Sequence, residues 1–523
     1  MPIVDPFEKR VVARLLDFFG SGIPWFRRLW CSSALLALEE VLEASYAIRA
    51  GILGEELFGA TVQVASSLAG PDPGVGTKEA KRALQQALQG LRKNTLPDGV
   101  DFGVVKLGAE AIRSNYLHLW AESIRSKENL SLERTARAIA SHLLDAGFSS
   151  RHLHRWCKYQ AQNASGAASL SELLENAHAM LMRPVQEFSV LVPFEGVPES
   201  KSGRPPNWVS AKDVVNWLSS QGLNPTRVQQ NGALLFRLPA RDPWAAVELA
   251  VDTVDQLSSR VALGTNGNLK SAKSAWVEGI KESFLFERQK RRVEVHALHR
   301  EDKLYSLEDA SIVDAALHMM GALNGAPAST AITTGWAAIE ALLSGPGEHD
   351  VVAGTRLAAL VACSFVRAEL TTLSYRLDAS DPLTGTLQGC TTNRERAKAI
   401  AGAIRGNTLL PLAAESDQAA VDRMRKILDN PYESLRDIHN QVAAVFTRMY
   451  KNRNLVIHWG KIDAVGLSSN LRAASPLAGA GIDRIAHAWL VNKVRPMELA
   501  ARASFGLETV GSHGGRDPID LLE

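Results

Sequence analysis

Residues Arg448–Gly460 read RMYKNRNLVIHWG. Arg453 and His458 stand five apart, Asn454 lies between them, and Gly460 follows. An arginine, an amide and an imidazole thus crowd into about a turn and a half of helix. A glycine just past the last periodic residue is a helix stop, so the group is expected at a helix end. The plain reading is an amphipathic helix whose polar residues include a histidine, since short motifs match by accident. What surrounds the stretch has to decide.

The side chains themselves carry a chemical suggestion. An arginine keeps its proton and is a fixed cation suited to a phosphate. Histidine is the side chain that exchanges protons near neutral pH. Asn454 is four before His458, so both project from one helical face. No carboxylate cluster accompanies them, which makes a two-metal site a poor fit. The set suits attack of a ribose 2′-hydroxyl on the adjacent phosphate, with histidine moving protons and arginine stabilising charge. That reaction needs no metal or other cofactor, and DNA lacks the hydroxyl it uses.

The chain has 523 residues, enough for about three domains, and 46% hydrophobic residues, enough for a sizeable core. Lys and Arg number 58 against 56 Asp and Glu, a net charge of +2 that excludes an overall polycation but permits local basic patches. Cys31, Cys157, Cys363 and Cys390 are far apart and read as thiols of a reducing compartment, not a disulfide framework. The opening MPIVDPFEKRVV lacks the apolar run of a secretory leader. The most apolar window, Val351–Val366, is short and contains Arg356, so a buried helix is expected there and no membrane partner. These features lead to the expectation of a soluble, cytoplasmic protein.

Residues 1–185 have the helical period, as in Ser32–Ile52. Gly70–Gly76 breaks the chain before an amphipathic helix at Lys78–Leu91. GPDPGVGTK is not a phosphate loop: it has Gly-Thr-Lys where Gly-Lys-Thr is needed, and no strand precedes it. Thr135–Tyr159 outlines two helices about a turn at Ala146-Gly147-Phe148, the second capped by Ser149 or Ser150 and carrying Arg151, Arg155 and Lys158. This fits a DNA-binding helix-turn-helix or a helical hairpin with one solvated basic face. His152 and His154 point about 200° apart on a helix, so they do not share a metal, and no metal site is expected.

Residues 186–302 change character. Glu187–Phe194 and Gly232–Leu238 suit strands. Val197–Asn207 is a loop, and helices are expected at Ser210–Ser219 and Asp242–Ser259. The alternation points to a small α/β domain of ferredoxin-like, split β-α-β kind. Arg288, Lys290, Arg291 and Arg292 form a basic run that is a solvated face or a set of nucleic-acid phosphate contacts.

From Ser306 to Ala503 the pattern is helical again, with a polar connection at Asp378–Asn393, a break at Asn430-Pro431, a loop at Lys461–Pro476 and a closing helix Asp483–Ala503 split or kinked at Pro496. Glycine-rich residues 511–523 are expected to be mobile. The expected fold class is mainly α: a helical N-terminal region (1–185), the small α/β domain (186–302), a helical bundle (303–505) and a mobile tail (506–523).

Within the bundle, Arg453-Asn454-Leu455-Val456-Ile457-His458 resembles the signature of the HEPN superfamily. Upstream, TGWAAIEALL with Trp336 and Glu340 resembles the tryptophan–glutamate helix of its Apea-like branch, and Arg356-Leu357-Ala358 the arginine-bearing helix that follows. Tyr450, Arg453, His458 and Gly460 match that branch's closing pattern. The resemblance covers roughly residues 305–505 and none of the first 300. It implies a bundle of four to five helices and a homodimer that gathers Arg453 and His458 of two copies around one cleft. It also implies metal-independent endoribonuclease activity leaving cyclic-phosphate and 5′-hydroxyl ends, of the kind found in bacterial antiviral defence and toxin systems that answer a phage or cellular trigger. Trp459 departs from the small residue usual before the glycine and is suited to stacking on a base. Glu340 is either a partner that orients Arg453 or an ordinary helix acid. Arg356 reads as an ion-pair partner and Tyr450 as packing with its hydroxyl at the cleft edge. Two rivals stand beside this: a non-catalytic HEPN protein that dimerises or binds nucleotide, and a DNA-binding regulator acting through residues 135–159.

Overall fold

The computed structural model describes residues 3–126, 130–163, 165–197, 203–224, 230–308, 311–348, 351–378 and 382–523. Of the segments expected above, 198–202 of the loop before Asn207, 309–310 and 379–381 lie outside the described residues. The described residues form twenty α-helices and six strands, so the chain is mainly helical with a small antiparallel sheet. It divides into two compact units.

The larger unit joins residues 1–145, 157–178 and 291–523. Its central helix is Val351–Ser374, which packs on Ala328–Leu343, Asn393–Arg405, Pro431–Trp459 and Pro496–Thr509. By length and composition this helix is apolar enough to cross a membrane, but 61% of its most apolar window is buried inside the fold. Its Leu357, Leu360, Val361, Phe365 and Val366 are core residues, each stabilising the fold by about 1.5–3 kcal/mol through burial.

The N-terminal helices, expected as a separate region, share this unit with the C-terminal ones. The link is electrostatic as well as apolar. Arg27 donates to Glu369 at 2.7 Å and to Asp417 at 2.6 Å. Arg14 pairs with Glu133 at 2.8 Å, and Arg423 bridges Glu133 (2.9 Å) and Glu369. Glu369 is fully buried and Arg27 nearly so. Removing one partner of such a pair strands a buried charge at about 3–5 kcal/mol, so each segment depends on the other.

Three local expectations change. The loop after Gly460 ends at Gly466, and the helix Leu467–Asn492 begins inside the segment read as loop, with Pro476 in its interior. Buried Leu467, Leu471, Ala474 and Leu477 keep the helical period across the proline. The closing helix is split at Pro496 as expected, and Pro496 starts the helix Pro496–Thr509. The tail is packed: Ile519 and Leu521 are buried, and Asp520 pairs with Arg394 at 2.6 Å and Lys398 at 2.7 Å. Its glycines suggested mobility, while its apolar and acidic residues anchor it. The polar connection before Asn393 also contains a short helix, Pro382–Gln388.

The smaller unit, residues 146–156 and 179–290, holds the sheet. Its strands are β1 (Gln186–Gly196), β2 (Trp208–Val209), β3 (Ala233–Ala240), β4 (Lys270–Ser271), β5 (Ser274–Val277) and β6 (Phe284–Leu285). The order is β2-β3-β1-β5-β6, with β4 also on β1, and every pairing is antiparallel. Alternation along β1 separates two cores. Val190, Val192 and Phe194 face the helix Pro243–Thr265, and Leu191 faces Ala211–Ser220 through Val214 and Leu218. The two helices therefore cover opposite faces, and the helix between β1 and β3 joins neighbouring antiparallel strands. A split β-α-β arrangement links parallel strands with its helices on one face, so the ferredoxin-like expectation does not hold. Local periodicity identifies strands and helices but leaves open which face each helix covers.

Candidate functional site

The quoted stretch ends a 29-residue helix, Pro431–Trp459, with Pro431 in its first turn. Leu435, Ile438, Val442, Val445, Phe446 and Met449 form its buried stripe. Gly460 adopts φ 67°, and the Lys461 amide returns to the Leu455 carbonyl at 3.1 Å, so the helix stops where the glycine was expected to stop it.

Around Arg453 the expected residues come together. Its Nη1 donates to the Asn454 Oδ1 at 2.9 Å. Its guanidinium lies 6.0 Å from the Tyr450 ring centroid, within cation–π range. Tyr450 packs on Trp336 with centroids 5.2 Å apart, and the Trp336 indole donates to Glu340. Asn454 is buried and Arg453 half-buried, whereas His458 and Trp459 are exposed. Residues five apart on a helix are offset by about 7.5 Å along the axis and roughly 140° around it. Arg453 is thus folded back onto Tyr450, while His458 stands at the solvent-facing tip, where a cation also suits the helix C-terminus. Arg356 lies apart from this group: it pairs with Glu348 and donates to the Leu343 carbonyl at 2.8 Å, closing the end of the Ala328–Leu343 helix.

Sequence reasoning missed what lies beneath the motif. Glu40, on the helix Ala34–Arg49, takes the Lys451 ammonium at 2.9 Å and a two-pronged Arg448 guanidinium. Burial alone would raise the Glu40 carboxyl, and the two cations more than offset it, holding it below the usual carboxylate range. Glu43, one turn on, accepts the Val465 amide at 3.0 Å and faces Lys461 at 3.5 Å. Lys461 in turn lies 5.4 Å from the Trp459 ring. One N-terminal helix therefore grips the chain on both sides of His458. The signal available in sequence was only a pair of glutamates three apart in an apolar helix. Asn452, also missed, is fully buried with neither amide atom hydrogen-bonded among the described residues.

The basic residues expected to meet nucleic acid are largely engaged within the protein. Ser149 caps the helix Ser150–Gln162, donating its own amide and hydroxyl to Asp242. Arg151 and Arg155 lie 5.7 and 5.1 Å from the Trp244 ring, and Arg155 pairs with Glu282 at 3.0 Å. Lys158 is exposed. Residues 146–156 belong to the smaller unit, and the helix before them, Leu132–Asp145, to the larger. Arg288 pairs with Asp252 and Asp255 at 2.6 Å each, and Arg291 donates to the Leu323 carbonyl at 3.1 Å. Lys290 is exposed, and Arg292 pairs with Glu294 at 3.1 Å. No group of three or more His, Cys, Asp or Glu placed to hold a metal occurs among the described residues.

Comparison with protein-family models, with curated proteins and with solved structures returns no match to this chain.

Proposed function

We propose that the chain is a metal-independent endoribonuclease of HEPN type, acting as a homodimer in the bacterial cytoplasm. The observation that carries the reading is the grouping of Tyr450, Arg453 and Asn454 against Trp336 and Glu340, with His458 exposed at the end of the same helix. Asn454 orients the Arg453 guanidinium toward the charge that develops on the attacked phosphate. His458 removes the 2′-hydroxyl proton or returns one to the leaving 5′-oxygen. The products are a cyclic phosphate and a 5′-hydroxyl. Because Arg453 and His458 diverge around the helix, a second copy supplies the complementary half of the cleft, and Trp459 stacks on a base beside it. Antiviral defence or growth arrest set off by a phage or cellular trigger is the role that the resemblance adds.

The test is cleavage of total RNA by the purified chain and by His458→Ala. His458 is exposed, so the variant folds normally and loses cleavage. A chelator leaves the rate unchanged. Undiminished cleavage by the variant overturns the mechanism, and inhibition by chelator points to a metal enzyme.

A further inference from the structure

Two lysines near the motif are held in opposite ways. Lys451, within the helix Pro431–Trp459, meets Glu40 at 2.9 Å and is sealed from solvent. Lys461, just past the helix, faces Glu43 at 3.5 Å, and its side chain is 32% exposed. A tight charge-assisted hydrogen bond measures about 2.7–2.9 Å, so the first lysine is committed to its acid and the second is only tethered. Glu43 is anchored elsewhere: both of its carboxylate oxygens accept the Val465 amide, at 3.0 and 3.1 Å, and it is buried.

The backbone places Lys461 beside the motif rather than beyond it. Gly460 turns the chain at φ 67°, the Lys461 amide returns to the Leu455 carbonyl at 3.1 Å, and the Ile462 amide donates to the Gly460 carbonyl at 3.1 Å. Lys461 is thereby fixed close behind His458, with its ammonium over the Trp459 ring, 5.4 Å from the centroid. The cation is pre-placed without being closed off, which lowers the cost of ordering it on binding. Asp463, the other charged side chain between Gly460 and Gly466, is exposed and forms no ion pair among the described residues.

Ile457, Trp459 and Ile462 are large apolar side chains left exposed in the same short stretch. Apolar and aromatic surface interleaved with a cation suits a single strand, whose bases stack and whose phosphates need positive charge. In the proposed reaction Arg453 serves the attacked phosphate and His458 the protons, so the motif offers no partner to the neighbouring phosphates. Lysine, a point charge with three rotatable donors, suits a phosphate held for position.

We infer that Lys461 binds a phosphate adjacent to the scissile one, on the nucleotide whose base lies against Trp459, with Glu43 as the tether that keeps the ammonium there. The inference rests on the RNA-cleaving reading of the motif. It makes Lys461 a determinant of RNA binding and leaves the chemical step to Arg453 and His458.

The experiment titrates the full-length chain with a fluorescein-labelled 2′-O-methyl oligonucleotide, which 2′-hydroxyl attack cannot cleave, between about 50 and 200 mM salt. Initial rates on unmodified RNA are measured in parallel. Lys461→Met keeps the apolar stem and removes the charge. It is expected to weaken binding about tenfold at the low-salt end and to lower the slope of log affinity against log salt by about 0.7, one single-strand phosphate contact. Its KM rises by a similar factor while kcat holds. Lys461→Arg restores most of the affinity and the slope. Glu43→Gln still accepts the Val465 amide and leaves Lys461 charged, so it keeps the parental slope. If Lys461 were only a structural partner of Glu43, the two neutral variants would lose binding alike and neither would change the slope. That result, unchanged binding by Lys461→Met, or no binding by the unmodified chain, overturns the inference. Lys461-dependent binding by a chain that cleaves no RNA overturns the ribonuclease reading and upholds the phosphate contact.

Discussion

Glu40 and Arg448 stand 408 positions apart and meet in a buried two-pronged ion pair, with Arg448 Nε 3.0 and 3.2 Å from the two carboxylate oxygens and Nη2 also donating. Lys451 adds a third donor to the same carboxylate. Glu40 is 2% exposed and Lys451 1%, so the triad has no recourse to water. Glu40→Gln leaves two buried cations without a counter-charge and is expected to destabilise the fold by about 3–5 kcal/mol, read as a lower urea midpoint. The folded carboxyl is held low. Its contribution is therefore present above the unfolded value near 4.3 and is lost as pH falls through the folded value. The variant lacks that acid-side loss. An unfolding free energy within about 1 kcal/mol of the parent at pH 7 contradicts the triad as a stabilising contact.

Asp72 and His142 give stability two opposing pH limbs. Asp72 is buried, accepts the Tyr116 hydroxyl at 2.5 Å and the Gly74 amide at 2.8 Å, and burial pushes its carboxyl up to about 6. A raised acid favours the fold fully below its unfolded value, and the benefit declines as pH rises through about 6. Asp72→Asn mimics the protonated carboxyl and is expected to be roughly 2–3 kcal/mol more stable than the parent at pH 8, relative to pH 4. His142 is also buried, stacks on Tyr116 at 4.2 Å, and is pushed down to about 4 by burial. Its cost appears as pH falls from about 6.5 to about 4. His142→Phe keeps the stacking and removes that limb. Parallel pH–stability curves for parent and variants count against both assignments.

What the sequence made legible was local. The helical period located the motif helix, Gly460 marked its end, and TGWAAIEALL brought Trp336 and Glu340 to a helix that meets Tyr450. The β-branched and aromatic residues of EFSVLVPF pointed to a strand, and one forms there. The failures were of long range or of competing signals. Nothing near Glu40 announces Arg448, because an ion pair between distant helices leaves no periodic trace. Pro476 argued for a loop, yet the apolar residues around it keep the helix continuous. Glycines 511, 514 and 515 argued for mobility, yet Ile519 and Leu521 bury themselves. The antiparallel order of β1 and β3 depends on the path of the intervening chain, which residue type does not encode.

Gly460 and Gly466 flank the loop that follows His458, and both adopt positive φ, 67° and 78°. Their surroundings differ. Nothing lies within 4 Å of a Cβ added at Gly460, whereas one at Gly466 would lie 1.9 Å from the Glu40 Oε1. Gly460→Ala is expected to cost about 1 kcal/mol from the backbone alone. Gly466→Ala adds displacement of Glu40 from Arg448 and should cost at least twice as much. Thermal melts of the two variants decide this, and equal losses would show that Glu40 moves aside freely.

Arg453 provides the sharpest test of how geometry serves the proposed reaction. Its planar fork reaches Asn454 while lying within range of the Tyr450 ring, a double role that a lysine ammonium does not reproduce. Arg453→Lys keeps the positive charge but loses the orientation. If the guanidinium stabilises charge that appears only in the transition state, the variant lowers kcat by about 10²–10³ with little change in KM. If Arg453 only binds the RNA backbone, lysine largely substitutes for it and KM alone shifts. Initial rates on a fluorogenic RNA separate the two. Asn454→Ala should follow Arg453→Lys in direction with a smaller loss, because it frees the guanidinium without removing it. A kcat effect from Asn454→Ala with none from Arg453→Lys would be inconsistent with Asn454 acting through Arg453.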